Sequence, residues 1–378
     1  MRAGPQAAAR ADAAADDARF MELALMLGRR GRGRTWPNPA VGAVLVKDGV
    51  IVGRGWTQAG GRPHAEIDAL RRADEAARGA TLYVTLEPCS HHGKSPPCAD
   101  AITAGGVARV VSALEDPNPK VVGAGHARLR AAGIEVDIGI GAEEARRDHA
   151  GHIRRMREGR PQVTLKLAVS ADGKAGAPGR RPLPITGEAV RDRVHLLRAQ
   201  SDAIMVGIGT VLADDPLLTC RLPGMEKDSP VRIVLDAALR LPLSSRLVHT
   251  AGEVPVWVVC GAEAPPAAEE SLQAAGVVVL RAPERQGAVD LAAMLKLVAE
   301  RGITRLMVEG GPTLAAALLT ADRVDEAVLF QSAKVVGADG IDALEGLPLT
   351  ALTHSPRLLS VRSVAVEADI CDIFWRRT

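Results

Sequence analysis

Pro63-His64-Ala65-Glu66 and, further along, Thr85-Leu86-Glu87-Pro88-Cys89-Ser90-His91-His92-Gly93-Lys94-Ser95-Pro96-Pro97-Cys98 set one imidazole, one carboxylate and two thiols into a chain with only five cysteines in 378 residues. His64, Cys89 and Cys98 each stand where a helix can begin. Together they can make a three-ligand zinc site with the fourth position left open for water, the form of catalytic rather than structural sites. Free cysteines are often small buried hydrophobes, but Glu87 to Cys98 is polar, basic and turn-rich and would make a poor core segment. Glu66 lies two residues from His64, and on a helix such neighbours do not share a face. It therefore reads as a carboxylate beside the metal and not as a further ligand. Zinc makes water nucleophilic near neutrality, and a neighbouring Glu can carry the proton to a leaving group. His-x-Glu followed by Pro-Cys is the pattern of zinc-dependent hydrolytic deamination.

Working outward from this stretch, the length allows two domains, each with a sizeable core. A formal charge of +2 makes no case for nucleic acid, and no apolar run reaches membrane-spanning length. Hydrophobic residues at 47% with aromatics at 2% mean that Val, Leu, Ile and Ala fill the cores. The odd cysteine number, without disulfide-framework spacing, points to a reducing compartment, and the cytoplasm is expected. Residues 1–17 carry no apolar signal core and read as a tail or an extra helical turn. A homo-oligomer is the expected assembly.

Upstream of the motif, Phe20, Met21, Leu23, Ala24 and Leu27 recur at helical spacing after Asp16-Asp17, a suitable negative helix start. The basic run Arg29 to Arg34 reads as a solvated helix end, with an RNA or phosphate contact as the other reading. Thr35-Trp36-Pro37-Asn38-Pro39 is a rigid loop before the strand Val41 to Val46, and Asp48-Gly49 turns the chain back through Val50 to Gly53. Asn38 can contact a flat heterocycle or simply serve the Pro-bounded turn. Downstream, Thr81 to Thr85 delivers Cys89 to a helix start, where the macrodipole favours thiolate. Val107 to Ala113 and Ile134 to Ile138 are further strands, with helix around Ala127 to Ala132 between them. Residues 18–158 therefore form an α/β domain that carries the metal at its strand ends.

The boundary falls in Arg154 to Pro161, and residues 159–378 form a second α/β domain. Its strands are Val163 to Val169, Ala203 to Val206, Val231 to Leu235, Val256 to Val259 and Arg305 to Val308, with helices at Glu188 to Arg198 and Leu291 to Glu300. Gly207-Ile208-Gly209-Thr210 and Glu309-Gly310-Gly311-Pro312-Thr313 each follow a strand. Backbone amides at such joints bind phosphate, although strand-Gly-helix joints also occur as plain turns. No Gly-x-Gly-x-x-Gly follows the first strand, which disfavours an ordinary Rossmann domain.

From about residue 18 to the end, the chain resembles the bifunctional riboflavin biosynthesis proteins, in which a pyrimidine deaminase is fused to a reductase. The pieces that carry the resemblance are Pro37-Asn38-Pro39 with Val41-Gly42, His64-Ala65-Glu66, and Thr85 to Lys94 leading to Pro96-Pro97-Cys98. In the second half they are Leu165-Lys166-Leu167-Ala168, Asp172-Gly173-Lys174, Leu197 to Ser201, Val211 to Pro216 and Glu309 to Leu314. Eight residues separate Cys89 from Cys98, where nucleoside and transfer-RNA deaminases typically have two.

The resemblance implies an α/β chain with a cytidine-deaminase-like three-layer domain in front and a dihydrofolate-reductase-like domain behind. It implies hydrolysis of the 2-amino group of a diaminopyrimidinone ribosylamino phosphate, then reduction of the ribosyl group to ribityl with NADPH. By the family pattern His64, Cys89 and Cys98 hold Zn2+ and Glu66 shuttles protons. Ala168, Thr210, Asp214 and the turn Gly311, Pro312, Thr313, Leu314, Ala315, Ala316 and Ala317 fall where the family contacts NADP. Arg198, Leu218, Arg221 and Glu309 fall at substrate positions. Lys166 and Asp214 are candidates for charge near the reacting sugar carbon, and Lys94 and Asn38 are candidates for substrate contacts in the deaminase. The two arginines suit a sugar phosphate because guanidinium binds it bidentately.

Three departures touch the reductase. Leu183-Pro184 stands where a Trp often precedes Ile-Thr, and Pro182 where a Ser commonly meets substrate. Ala237 stands where a Ser can contact NADP. Two other readings stand beside the two-step enzyme: a deaminase with an inactive, reductase-like platform, and a zinc-stabilised binding protein that meets RNA through Arg29 to Arg34.

Overall fold

The first unit opens on α1 (Pro5–Arg29), a helix of 25 residues. After it come β1 (Gly42–Lys47), β2 (Val50–Trp56), α2 (Ala65–Ala73), β3 (Thr81–Val84), α3 (Cys98–Ala104), β4 (Arg109–Ser112), α4 (Ala124–Ala131), β5 (Glu135–Ile138), α5 (Ala142–Asp148) and α6 (Ala150–Glu158). The computed structural model describes residues 5–93, 95–119, 121–180, 183–285 and 287–377. It forms two units, Met1–Gly159 and Arg160–Thr378. Lys94 and Pro182 lie outside the described residues, as does the very start of the expected tail.

That tail and the helix start at Asp16-Asp17 both need correction, because α1 already runs from Pro5. Asp17 sits within the helix for a tertiary reason. Its carboxylate accepts from both terminal nitrogens of Arg109 (2.9 and 2.8 Å) and from the Tyr83 hydroxyl (2.7 Å). These bonds tie α1 to β3 and β4, and Arg109 holds the Asp17 carboxyl below its usual range.

The sheet order is β2-β1-β3-β4-β5, antiparallel on either side of β1 and parallel from β3 to β5. Gly42 lies against the Ala24 carbonyl of α1, while Gly55, paired with the next residue Ala43, lies against the Ala65 carbonyl of α2. Successive strand residues face opposite sides, so α1 and α2 cover opposite faces and the unit is a three-layer α/β fold. The absence of a Cβ at Gly55 lets the first turn of α2 sit down on the sheet, and His64 and Glu66 flank that turn.

The second unit contains β6 (Gln162–Val169), β7 (Lys174–Gly176), α7 (Glu188–Ala199), β8 (Ala203–Gly207), α8 (Ile208–Asp214), β9 (Val231–Leu235), α9 (Arg246–His249), β10 (Val256–Cys260) and α10 (Pro266–Ala274). It continues with β11 (Val278–Arg281), β12 (Glu284–Arg285), β13 (Ala288–Val289), α11 (Leu291–Glu300), β14 (Arg305–Glu309), α12 (Pro312–Thr320), β15 (Glu326–Gln331), β16 (Ile341–Asp342), α13 (Thr350–Thr353), β17 (Leu358–Val366) and β18 (Asp369–Arg376).

Nine strands make one sheet in the order β11-β10-β9-β8-β14-β6-β15-β18-β17. From β11 to β15 all neighbours run parallel, and β18 and β17 close the edge antiparallel. Central strands covered on both faces read as unbroken apolar runs, and Val256–Cys260 is buried throughout. Arg232, fully buried on β9, donates through its two terminal nitrogens to the carbonyls of Leu217, Thr250 and Val254 and to the Thr250 hydroxyl. Burial pulls its pKa down to about 10. Through Leu217 it pins the loop that carries Leu218 and Arg221.

Candidate active sites

In the first unit, one ligand atom from each of His64, Cys89 and Cys98 lies within 4.8 Å of the others. His64 is the residue before α2, and Cys98 is the first residue of α3. Cys89 does not open a helix, contrary to expectation; it lies in the loop after β3. The helix start it meets is that of α3, since the Cys98 N–H donates to Cys89 Sγ at 3.3 Å. His64 Nδ1 stands 3.3 Å from Cys98 Sγ and 3.7 Å from Cys89 Sγ.

Hydrogen bonding from Cys98 and from His64 pulls the Cys89 thiol down to about 4, while hydrogen bonding to Cys89 and burial push Cys98 up. An imidazole and two thiolates form a donor set that suits zinc. Glu66, on the first turn of α2, is buried beside this group, and that burial raises its carboxyl above the usual range.

Sequence reasoning passed over Glu87, although it belongs to the same motif. Its carboxylate is buried and accepts backbone N–H bonds from Asp116 (3.0 Å), Gly123 (3.0 Å), Gly125 (2.8 Å) and His126 (3.2 Å). One side chain therefore clamps the loop ahead of α4 against Pro88-Cys89. Gly125 lies directly on the Pro88 carbonyl, with no room for a Cβ. Gly125→Ala is expected to destabilise the first unit by about 1–3 kcal/mol, as overpacking does, and to weaken zinc retention by shifting Cys89. Thermal melts and zinc stoichiometry after dialysis against a weak chelator would check this, and full retention of both would refute it. Buried histidines extend the network: His149 Nε2 meets Thr85 Oγ1 and His152 Nε2 meets Asp116 Oδ1, each at 3.0 Å. Asn38 donates from Nδ2 to the Gly61 carbonyl at 2.9 Å, tethering its loop to the segment that leads to His64.

In the second unit the carboxyl ends of the parallel strands border a cleft of about 1760 Å³. At one end lies a charge cluster. Glu309 on β14 accepts from Arg198 Nε (3.0 Å) and a terminal nitrogen (2.9 Å), and from Lys166 Nζ (3.4 Å). Burial acts to raise the Glu309 carboxyl, but Lys166 and Arg198 hold it below its usual range.

The remaining terminal nitrogen of Arg198 donates to the Thr219 carbonyl at 3.0 Å, so its fork is already engaged. Arg198 thus meets the site with all three of its nitrogens already bonded within the protein. Arg221, by contrast, is exposed. Asp214 lines the same cleft, its carboxyl raised by partial burial. Leu218 lines it too, with most of its side chain in the core.

Next to this cluster is the glycine turn. Gly310 and Gly311 have φ of 85° and 77°, a region that favours glycine, and lead into α12 with Pro312 at its first position. Thr210 Oγ1 faces Gly311. Ala168, Thr210, Gly311, Pro312, Thr313, Leu314, Ala316 and Ala317 all line the cleft. Ala315 does not: it is fully buried, because its place on α12 turns it towards the sheet with Leu318. Leu183, Pro184 and Ala237 are cleft-lining as well.

Comparison with known proteins settles the lineage. The family profile described as the RibD C-terminal domain matches residues 161–374, and that of the cytidine and deoxycytidylate deaminase zinc-binding region matches residues 14–114. The riboflavin biosynthesis protein RibD of Escherichia coli (strain K12) is 43% identical over 368 residues, covering 94% of this chain and 98% of its own. The chain belongs to the RibD family. A second RibD, from Aquifex aeolicus (strain VF5), is 44% identical over 363 residues, covering 96% and 98%.

Among solved structures, Acinetobacter baumannii RibD superposes with a TM-score of 0.86 at 34% identity, covering 97% of this chain and 100% of that one. The Thermotoga maritima protein described as a diaminohydroxyphosphoribosylaminopyrimidine deaminase/5-amino-6-(5-phosphoribosylamino)uracil reductase gives 0.83 at 35%, covering 96% and 99%. This RibD-family chain is thus a bifunctional deaminase and reductase of riboflavin biosynthesis, with a zinc-binding deaminase unit in front. Among its described residues no helix is long and apolar enough to cross a membrane.

Proposed function

We propose that the first unit hydrolyses the 2-amino group of 2,5-diamino-6-(5-phosphoribosylamino)pyrimidin-4(3H)-one, and that the second reduces the ribosyl group of the resulting 5-amino-6-(5-phosphoribosylamino)uracil with NADPH. The observation that carries the reading is the convergence of His64, Cys89 and Cys98 with a buried Glu66 beside them. Those three side chains would hold Zn2+, which when bound supplies the Lewis acidity that makes water nucleophilic at neutral pH.

Glu66 takes a proton from the attacking water and passes it to the departing amino nitrogen. The C–N bond breaks, ammonia leaves, and the ring carbon becomes a carbonyl. Glu66 suits this task because it is buried beside the ligand cluster, and that burial raises its carboxyl above the usual range. Glu87 keeps the Cys89 loop in register, and Asn38 and Lys94 are assigned to the substrate.

In the second unit NADPH, when bound, supplies the hydride. The turn Gly310 to Pro312 with Thr210 would hold its diphosphate, since amides at a helix start attract anions. Lys166 and Asp214 place charges of both signs near the sugar carbon, and Arg221 takes the substrate phosphate. Arg198 and Glu309 orient one another and Lys166. The free state of all five cysteines supports a reducing compartment, and we assign the protein to the cytoplasm as a homo-oligomer.

Mass spectrometry of the product, with and without NADPH, tests both halves. The expected result is replacement of an amino group by oxygen without NADPH, and addition of two hydrogens only when it is present. Removing zinc with a strong chelator should stop the first step and spare reduction of supplied uracil intermediate. Reduction that never follows deamination would return the second unit to the role of a platform.

A further inference from the structure

The rim of the first unit's site holds a guanidinium that the proposed deamination leaves unused. His64 and Cys89 are half-buried while Cys98 and Glu66 are buried, so the cluster opens to solvent on the side of His64 and Cys89. Arg62 belongs to that side, two residues before His64, and is itself half-buried. Its Nη1 donates to the Ser95 hydroxyl, and its Nη2 lies 3.5 Å from where a Cβ on Gly93 would stand. The side chain thus crosses from the segment that delivers His64 to the loop between Cys89 and Cys98.

The backbone under Arg62 is held on both sides. Asn38 Nδ2 donates to the Gly61 carbonyl at 2.9 Å, and the Gln58 N–H donates to the Pro63 carbonyl at 3.1 Å. A side chain rooted in a tethered segment loses less freedom on binding a ligand than one on a loose loop.

Among the described residues no carboxylate pairs with Arg62, and the acceptor it meets is a neutral hydroxyl. The carboxylates of the site are placed elsewhere: Glu66 is buried beside the ligands, and Glu87 accepts backbone N–H bonds from the loop ahead of α4. A guanidinium has more donors than that one bond uses, and the Ser95 hydroxyl, while accepting from Arg62, keeps its own O–H to donate. The rim therefore offers an anion a positive charge and two neighbouring donor groups.

We propose that Arg62, with the Ser95 hydroxyl beside it, binds the phosphate of the pyrimidine substrate and makes the deaminase select the phosphorylated compound over its dephosphorylated form. The inference rests on the reading of this unit as the deaminase of a phosphoribosylaminopyrimidine. The ribosyl phosphate hangs from ring position 6, so a 2-amino group held at the metal cluster sends it outward to the rim. There a guanidinium fork matches a phosphate bidentately.

The test measures ammonia release by the full-length, zinc-loaded protein from the phosphorylated pyrimidine and from the same compound after its phosphate has been removed. The wild type should favour the phosphorylated compound in kcat/KM. Arg62→Ala is expected to lower that kcat/KM about tenfold or more, the scale of a lost charged hydrogen bond, with the change carried by KM. Values for the dephosphorylated compound should stay within about twofold. Ribose 5-phosphate should inhibit the wild type, and the variant about tenfold more weakly. Arg62→Lys should recover part of the loss, and Ser95→Ala should act in the same direction with a smaller factor. Zinc content and melting temperature should match the wild type. Equal losses on both compounds, or loss of zinc, would mean that Arg62 braces the loop between the cysteines and would overturn the proposal. A wild type indifferent to the phosphate, or a variant without effect, would overturn it as well. A wild type that releases ammonia from neither compound would overturn the deaminase reading itself.

Discussion

Glu66→Gln is expected to lower the deamination rate by about 10²–10⁴-fold, the range associated with a positioned general acid–base group, while zinc stays bound. Gln keeps the volume and one acceptor but cannot take the proton from water or return it to the amino nitrogen. His64, Cys89 and Cys98 form their cluster without Glu66, so metal content should stay at one zinc per chain. Reduction of supplied uracil intermediate should proceed at the wild-type rate, because that chemistry belongs to the other unit. The check is ammonia release alongside metal analysis. Loss of zinc together with activity would mean that Glu66 holds the site together and does not move protons.

Glu309→Ala should have the largest effect on the second unit. It leaves the Arg198 fork and the Lys166 ammonium without their shared acceptor. Removing one partner from a buried ion pair costs about 3–5 kcal/mol. At roughly 2–4 °C per kcal/mol for a domain of this size, the melting temperature should fall by about 6–20 °C. Reduction should be lost, because Lys166 and Arg198 no longer hold one another in place, and deamination should persist.

The wild-type pair also sets a pH limit. The folded-state pKa of Glu309 is below its ordinary 4.5, so the carboxylate contributes stability that is fully present above that value. The contribution is lost as pH falls through the lowered folded value. Acid titration of the second unit's melting temperature should therefore decline more steeply below pH 4.5 in the wild type than in Glu309→Ala. Parallel curves would show that the ion pair contributes nothing net.

Much of both sites was legible because local chemistry carries it. His64, Glu66, Cys89 and Cys98 are few, reactive and set among turn residues, so their grouping could be read without coordinates. Five of the buried parallel strands of the second unit were equally plain, since a strand covered on both faces must be apolar along its length, whereas β15, equally buried and parallel to β6, was passed over. β17 and β18 had no such signature: β17 is largely exposed, and Leu358–Val366 mixes Ser and Arg among its apolar residues.

What sequence alone determined is the inventory of reactive side chains and the places where strands meet glycine turns, because these depend on residue type and short spacing. Only the tertiary structure decided which charges are already engaged. Arg198 and Arg221 look alike in sequence, yet β14 brings Glu309 to the first and leaves the second exposed. Glu87 became a clamp only when four amides from beyond β4 closed on it. Asp17 is a buried anchor and not a helix cap, because Arg109 and Tyr83 reach it from strands distant in sequence. The physical reason is common to all three: hydrogen-bond and Coulomb energies depend on separations of a few ångströms, which the folded chain sets and residue order does not.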